Sequence, residues 1–501
     1  MYKIGIFGIP KKIKVAIYSL FIFTLFFLTF RFGKKIQLEG VNHWVLPIAF
    51  SIKVLAGLLF LYIYTAHYGN GKLSEDAGNF FRESKIIHDV YAQSPGDYFK
   101  ILTGIGYEQK FDTTYLAETT HWNAGNLTVI NDTKNVMRVH SLLHFISFGS
   151  IYFHLLVFCA IGLLAFVQIH KAFSQFSTVK PLLFFAVIFL LPSALFWSST
   201  TLKEPFSFLG IGLLMHGFFG TFSLRKKLMY IFFGVLLMLL FKSYLLVMMG
   251  APILFYLTYM YLGKSSMWKS SFIFLGILGL ASLLFWTKIE RAVYILSRKQ
   301  YDFTNVGKGG LHAVSDTCVY YFEPKQEKAL KIEGDSAQLL KSIDAKIIYF
   351  GTLTEPVDIH LEPTGKKWFI IYHEAASDSY IPITLIENSP LKLVLNIPEA
   401  LTNSMFRPFL GDRGGALKFP SIVELWGVFA FLLICIFYRR KVDQKTRGLI
   451  IALSLFAFSL FLLIGLITPV VGAIVRYRVP AQLSILLIGL IIVNIPKFSK
   501  K

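Results

Sequence analysis

Cysteine is scarce: Cys159, Cys318 and Cys435 are the three in a chain of 501 residues. Two of them lie inside apolar runs and Cys318 has no partner outside such runs, so no disulfide framework is implied and the redox state of the compartment stays open. Acidic residues are few as well, 29 against 50 Lys and Arg. In a soluble protein the resulting +21 would point to nucleic acid. Here much of the excess sits in short connections between apolar runs, as membrane orientation requires, and a nucleic-acid partner is discounted. Internal repeats are missing, and so is an inverted pair of Gly/Pro-broken apolar segments of the sort that marks many secondary transporters, which counts against transport.

What the chain has in plenty is apolar surface, with 55% hydrophobic residues and 50 Phe. That much apolar area needs lipid to cover it, which excludes a soluble globular protein and makes membrane lipid the first partner. The fold class expected is a polytopic α-helical membrane protein of about eleven spans, at 16–30, 45–66, 141–169, 181–197, 205–222, 228–240, 244–262, 271–286, 422–438, 449–467 and 481–493. The first run has signal-peptide length but no small-residue cleavage site after it, and Arg31, Lys34 and Lys35 follow, so it is read as a retained span.

Alternate connections are basic: Lys171 and Lys180; Arg225, Lys226 and Lys227; Lys264 and Lys269; Arg439, Arg440, Lys441, Lys445 and Arg447; Lys497, Lys500 and Lys501. Basic loops stay cytoplasmic, which sends the two long polar segments, 67–140 and 288–420, to the opposite face. Only Glu39 and Asp443 of the acidic residues fall on the cytoplasmic side. An odd span count then puts the basic N-terminus outside, a conflict that is removed if the first segment is re-entrant or interfacial. The chain divides into N-terminal spans (1–66), a first extracytoplasmic loop (67–140), a transmembrane core (141–287), an extracytoplasmic β-rich domain (288–420) and C-terminal spans (421–501). Within the β-rich domain, Ala345 to Gly351, Lys367 to His373, Tyr380 to Ile386 and Leu391 to Ile397 are short, β-branched or aromatic runs bounded by turn residues, and each is expected to be a strand.

Three polar stretches stand at the ends of spans on the outer face. In Lys72-Leu-Ser-Glu-Asp-Ala-Gly-Asn-Phe-Phe-Arg82, Glu75 and Asp76 are adjacent carboxylates just beyond the second span. A carboxylate there can take a proton from an acceptor hydroxyl, or bind a divalent cation through oxygen, and it can equally belong to a solvated first helical turn capped by Ser74. In Val475-Arg-Tyr-Arg-Val-Pro480 a basic turn runs into the last span. If this stretch is extended, alternation puts Arg476 and Arg478 on one side and Tyr477 on the other. Paired guanidinium groups can bind phosphate oxygens, or they can snorkel to headgroups. In Leu191-Pro-Ser-Ala-Leu-Phe-Trp-Ser-Ser-Thr-Thr-Leu-Lys-Glu-Pro205, Lys203 and Glu204 are placed to reach one surface site, or to anchor the turn at the interface.

Weaker signals lie elsewhere. Arg407, between aromatics in Asn403-Ser-Met-Phe-Arg-Pro408, lines the site or fastens the β-rich domain, and fastening is favoured. Lys242 is a charge in the bilayer interior or a turn between two short spans, and the turn is favoured. His121, His140, His144 and His154 have no tight ligand spacing, so no zinc site is expected, and His140 with His144 reads as one polar stripe on a helix. Asn126-Leu-Thr and Asn131-Asp-Thr are glycosylation acceptor sequences.

Asp76-Ala-Gly-Asn-Phe80 resembles the acidic motif of the GT-C class of membrane glycosyltransferases, and Arg476-Tyr-Arg-x-Pro480 resembles a recurrent element of the bacterial family 39-like members. The resemblance spans three short motifs and the topology; an extra span precedes the acidic loop, and Phe80 stands where Tyr is frequent. It implies an inverting transfer, in a bacterial inner (plasma) membrane, of a sugar from a polyprenyl-phosphate donor to a lipid-linked or protein acceptor. It implies Asp76 as base with Glu75 beside it, Arg476, Arg478 and Lys203 on the donor phosphate, and Glu204, Tyr477 and Arg407 in the wall of the site. It fixes no cofactor and no metal-binding residue, a divalent cation being the one candidate. Two other classes fit the same topology: a polymerase or ligase of lipid-linked oligosaccharides, and a non-catalytic transporter or envelope scaffold.

Overall fold

A computed structural model describes residues 11–119, 121–122, 131–261, 267–284, 286–315, 318–334, 336–349 and 356–496. The first ten residues and the Asn126 acceptor sequence lie outside them. The chain is mostly helical with one small antiparallel sheet. Among the described residues six helices are long and apolar enough to cross a membrane, and a bent pair makes a seventh. Contacts divide the chain into two units: Met1–Gly250 with Phe431–Thr446 and Leu486–Lys501, and Ala251–Ala430 with Arg447–Ile485.

The first unit begins with α1 (Lys11–Phe32), α2 (Val45–Tyr62), α3 (Glu75–Gln93), α4 (Pro95–Thr103), α5 (Lys110–Thr114), α6 (Asp132–Ser147) and α7 (Ile151–Phe173). It continues through α8 (Pro181–Phe189), α9 (Pro192–Trp197), α10 (Glu204–Phe219) and the start of α11 (Leu224–Tyr261). Eleven spans are not confirmed, and proline explains part of the difference. Pro192 and Pro205 open new helices, leaving α8 and α9 with 9 and 6 residues and α10 with 16. At about 1.5 Å per residue even α10 rises roughly 24 Å, short of a hydrocarbon core about 30 Å thick. The two spans expected at 228–240 and 244–262 form the single 38-residue α11, broken only at Lys242 (φ −157°, ψ 73°).

α2 and α7 run antiparallel, Gly57 facing Leu155 and Cys159, and α10 lies along α7. At one end of this unit the basic connections meet. Lys171 Nζ donates to Lys35 O (2.8 Å), Gln175 Nε2 to Phe219 O (3.1 Å), Arg440 Nη2 to Phe176 O (2.7 Å) and Thr178 Oγ1 to Val493 O (3.1 Å). Toward the other end lie α3 to α6, and the turn 198–203 starts against the middles of α2 and α7, at Gly57 and Gly162, and ends with Lys203 at the start of α6.

The second unit holds α12 (Met267–Leu284), α13 (Trp286–Lys308), a seven-stranded sheet, α14 (Pro390–Leu395) and α15 (Ile397–Phe406). Of the later helices, α18 (Val471–Tyr477) and all but the first three residues of α17 (Gln444–Ile467) belong to this unit, while α16 (Phe419–Phe437) and α19 (Val479–Ile492) each begin in it and end in the first. The strands are β1 (Gly310–Val314), β2 (Cys318–Phe322), β3 (Leu330–Glu333), β4 (Ser336–Leu339), β5 (Ile343–Tyr349), β6 (Val357–Leu361) and β7 (Lys367–Glu374), in the order β3-β4-β7-β1-β2-β5-β6. Every pairing is antiparallel. Alternation buries one face, where Leu311, Ala313, Phe322, Ala337, Leu339 and Trp368 form the core.

The runs at 345–351 and 367–373 fall in β5 and β7 as expected, residues 350–351 lying outside the description. The other two expected strands are corrected. Tyr380 makes one isolated bridge, to Val470, and the chain from Ile381 to Ile386 is irregular. Pro382 has no N–H for a ladder. Ile386 is instead buried with Val293, Ala400 and Leu466. Residues 390–395 are helical because Ser389 caps them, its Oγ accepting from Lys392 N (3.3 Å), and Pro390 takes the first helical position, where a missing N–H costs nothing.

Candidate functional site

The approach to α3 is built by the turn that follows α2. That turn is a π-helix, Ile63–His67, and its carbonyls take bonds from the loop that follows: Gly71 N to Thr65 O (2.8 Å) and Ser74 N to Tyr64 O (3.2 Å). Ser74 occupies the N-cap position, but its hydroxyl donates back to Tyr64 O (2.8 Å) instead of capping. The loop is thereby folded onto the end of the helix. Ala77 and Phe80 are buried anchors, and at Gly78 a Cβ would stand 2.0 Å from Leu73 O, so no side chain fits. The small pair and the aromatic of Asp76-Ala-Gly-Asn-Phe80 therefore have packing reasons. Glu75 adopts a left-handed φ of 52° and is exposed, whereas Asp76 is half-buried.

Asp76, Asn79 and Glu83 follow at i, i+3 and i+7 along one face of α3. Glu83 is buried, and its carboxylate accepts from His121 N and Trp122 N (both 2.9 Å) and pairs with His121 Nδ1 (3.2 Å). Asn79 Nδ2 lies 3.3 Å from His121 Nε2, and the Asn79 carbonyl accepts from Arg82. Burial penalises the Glu83 charge, but the bonds from His121 and Trp122 outweigh it and hold the carboxyl below its ordinary range. Burial likewise opposes a charged His121, yet the bond to Glu83 and the charges of Glu83 and Asp76 prevail over the opposing Lys203, and the imidazole is raised above its ordinary value. Lys203 Nζ sits 3.0 Å from Asp132 Oδ2, 2.8 Å from Thr133 Oγ1 and 5.5 Å from the Phe80 ring centre. Glu83–His121 and Lys203–Asp132 are thus two charged pairs on either side of Phe80, and the charges of Asp76 and Lys203 act on His121.

Lys203 is held there by its own turn. Ser198, Ser199 and Thr200 return their hydroxyls to carbonyls of α9, and Ser198 Oγ also accepts from Lys53 Nζ (2.6 Å), a fully buried lysine of α2 that lies 5.3 Å from the Phe166 ring centre. These three hydroxyls of the turn are therefore spent on shape. Glu204, expected beside Lys203, turns away: it is buried and pairs with Lys242 Nζ (2.8 Å) at the break in α11. Lys242 is accordingly both a break in the helix and an interior charge, where a simple turn was favoured. Asn131 caps α6 through Lys134 N (3.0 Å). On that helix His140 and His144 are buried; His140 Nδ1 lies 2.6 Å from His154 Nδ1 on α7, and Ser84 Oγ 3.1 Å from His144 Nε2. Burial pushes both α6 imidazoles down to about 4. Among the described residues no group of three or more His, Cys, Asp or Glu is arranged to hold a metal ion.

The arginine motif lies in the second unit and is not extended. α18 runs to Tyr477 and Arg478 keeps right-handed helical angles (φ −75°, ψ −9°), the chain bending by 47° between α18 and α19. Helical rotation separates the two guanidinium groups that alternation would have aligned. Arg478 is fully buried and Nη1 donates to Ser404 O (3.3 Å) and Arg407 O, which braces the end of α15. Its Nε and Nη2 have no hydrogen-bond partner among the described residues. Arg476 is half-buried, its guanidinium 5.7 Å from the Tyr477 ring centre. Arg407 binds Asn403 Oδ1 (2.9 Å) and Asp412 and covers Phe409, the contacts of a fastener.

Sequence reasoning missed Glu83, His121 as a polar partner, Asp132 and Lys53. The i+7 spacing from Asp76 to Glu83 was visible, and Lys53 stands out as a charge within an apolar run. Nothing local ties His121 to α3. No family model, no curated protein and no solved structure matches the chain.

Proposed function

We propose that the chain is an integral membrane glycosyltransferase of GT-C type, moving a sugar from a polyprenyl-phosphate donor to a lipid-linked or protein acceptor. The observation that supports it is geometric: the Phe80 ring, one helical turn after Asp76, stands between His121 (ring centres 6.0 Å apart) and Lys203 (Nζ 5.5 Å from the ring centre), and the charges of Asp76 and Lys203 act on His121 in opposite directions. Sugar transfer needs a proton acceptor and positive charge side by side: Asp76 takes the proton of the acceptor hydroxyl, the acceptor oxygen bonds to the anomeric carbon, and the bond to phosphate breaks as polyprenyl phosphate departs. Lys203 and a charged His121 stabilise the negative charge that develops there. The polar cluster lies opposite the basic connections, which supports placing it on the non-cytoplasmic face of a bacterial plasma membrane.

The test is transfer by the purified chain in lipid nanodiscs, supplied with polyprenyl-phosphate sugars and membrane lipid extract. Consumption of one donor with release of polyprenyl phosphate is expected. If every monophosphate donor is left intact while pyrophosphate-linked oligosaccharides are joined, the chain is a polymerase or ligase. If neither is consumed, the transferase reading falls.

A further inference from the structure

α14 packs by one side only. Leu393 lies against a cluster that includes Leu462, Leu466 and Ile467, the last turns of the candidate span α17. The whole junction is tight: Gln300 of α13, itself buried, donates to Leu466 O (2.7 Å) and Thr384 O (2.9 Å) and accepts from Ile386 N (2.7 Å). α15 then crosses α17 at Gly465, where a Cβ would stand 1.8 Å from Ala400 O, and ends with Phe406 stacked on Phe429 of α16 (5.6 Å, 20°). α13, α14 and α15 thus pack on the last turns of α17, and α15 goes on to reach the middle of α16.

The other side of α14 is apolar and open. Leu391, Val394 and Leu395, at i, i+3 and i+4, are 67%, 56% and 66% exposed, and Lys392 is paired with Glu387. Where the chain enters α16, Leu410 is 72% exposed and Lys418 Nζ donates to its carbonyl (2.7 Å). Leucines on one face with a paired charge at the edge, fixed at the end of a span, are the arrangement of an interfacial helix.

We propose that α14 is a lipid-surface anchor: Leu391, Val394 and Leu395 enter the headgroup and acyl boundary of the leaflet at which α17 ends, and hold the inserted sheet close to the bilayer. The inference is independent of the transferase reading. Insertion of such a face reaches about 5–10 Å into that boundary.

The test uses the full-length protein in phospholipid vesicles, with its three buried cysteines replaced by serine, Leu391→Cys labelled with an environment-sensitive fluorophore, and Ile332→Cys on the edge strand β3 as reference. Thermal unfolding of each variant reports whether it is folded, and Leu395→Cys replaces the first position if it is not. Expected are blue-shifted emission at 391, loss of most fluorescence to lipids carrying a spin label on the acyl chain, and little loss to aqueous iodide, with iodide quenching at 332. Iodide quenching at 391 equal to that at 332 would put the face in water, and protection from both quenchers would put protein over it. Either result overturns the anchor.

Discussion

Asp76→Asn is expected to lower sugar transfer by about 10²–10⁴-fold, the range for removing a positioned general base, with kcat falling and thermal unfolding in detergent unchanged. The Asn side chain keeps the size and half-buried position of Asp76 but takes no proton. Glu75 is the internal control. It precedes Asp76 by one residue, faces outward on a left-handed backbone, and Glu75→Gln is expected to leave transfer within a few-fold of wild type on the same scale. Equal, small losses in both variants would remove the distinction between the two carboxylates, and with it the proton acceptor.

The second large effect is on stability. Glu204 and Lys242 are 2% and 7% exposed and join the first turn of α10 to the break in α11. Removing one partner of a buried ion pair strands the other charge, at a cost of about 3–5 kcal/mol. Glu204→Ala is therefore expected to lower the unfolding temperature strongly. The double variant Glu204→Met with Lys242→Met removes both charges together, and is expected to be clearly more stable than Glu204→Ala, since an apolar pair of similar volume often equals a buried ion pair. The comparison is made by thermal unfolding in one detergent. A double variant no more stable than the single one would mean that the charges do not depend on each other.

The apolar runs were legible as apolar and mostly helical, and β5 and β7 as strands. Span number was not, because helix length is set by where proline opens a new helix, and because Lys242 interrupts α11 without ending it. The strand expected at 391–397 shows the same limit: Leu391-Lys-Leu-Val-Leu suits either period, and the Ser389-Pro390 start decided for a helix. Asp76 and Lys203 were legible as candidates. The placement of His121 under the influence of both was not, because Glu83 takes two backbone N–H groups from a loop 38 and 39 residues away. The condition that would align the two arginines is not met: Pro480 restricts only the residue before it, so Arg476 and Arg478 stay helical, and Arg478 goes to the carbonyls at the end of α15.

The charges of Asp76 and Lys203 both act on one imidazole, in opposite directions, and the ring can report both. His121 titrates by NMR in protein labelled at histidine, its signal identified by loss in His121→Gln. A ring raised above its ordinary value stabilises the fold fully below about pH 6.5, the unfolded value, and that contribution is lost as pH rises through the folded value. The expected result is a midpoint above the ordinary one, lowered in Asp76→Asn and in Glu83→Gln and raised further in Lys203→Met. An ordinary midpoint that ignores residues 76 and 203 would contradict a shared site.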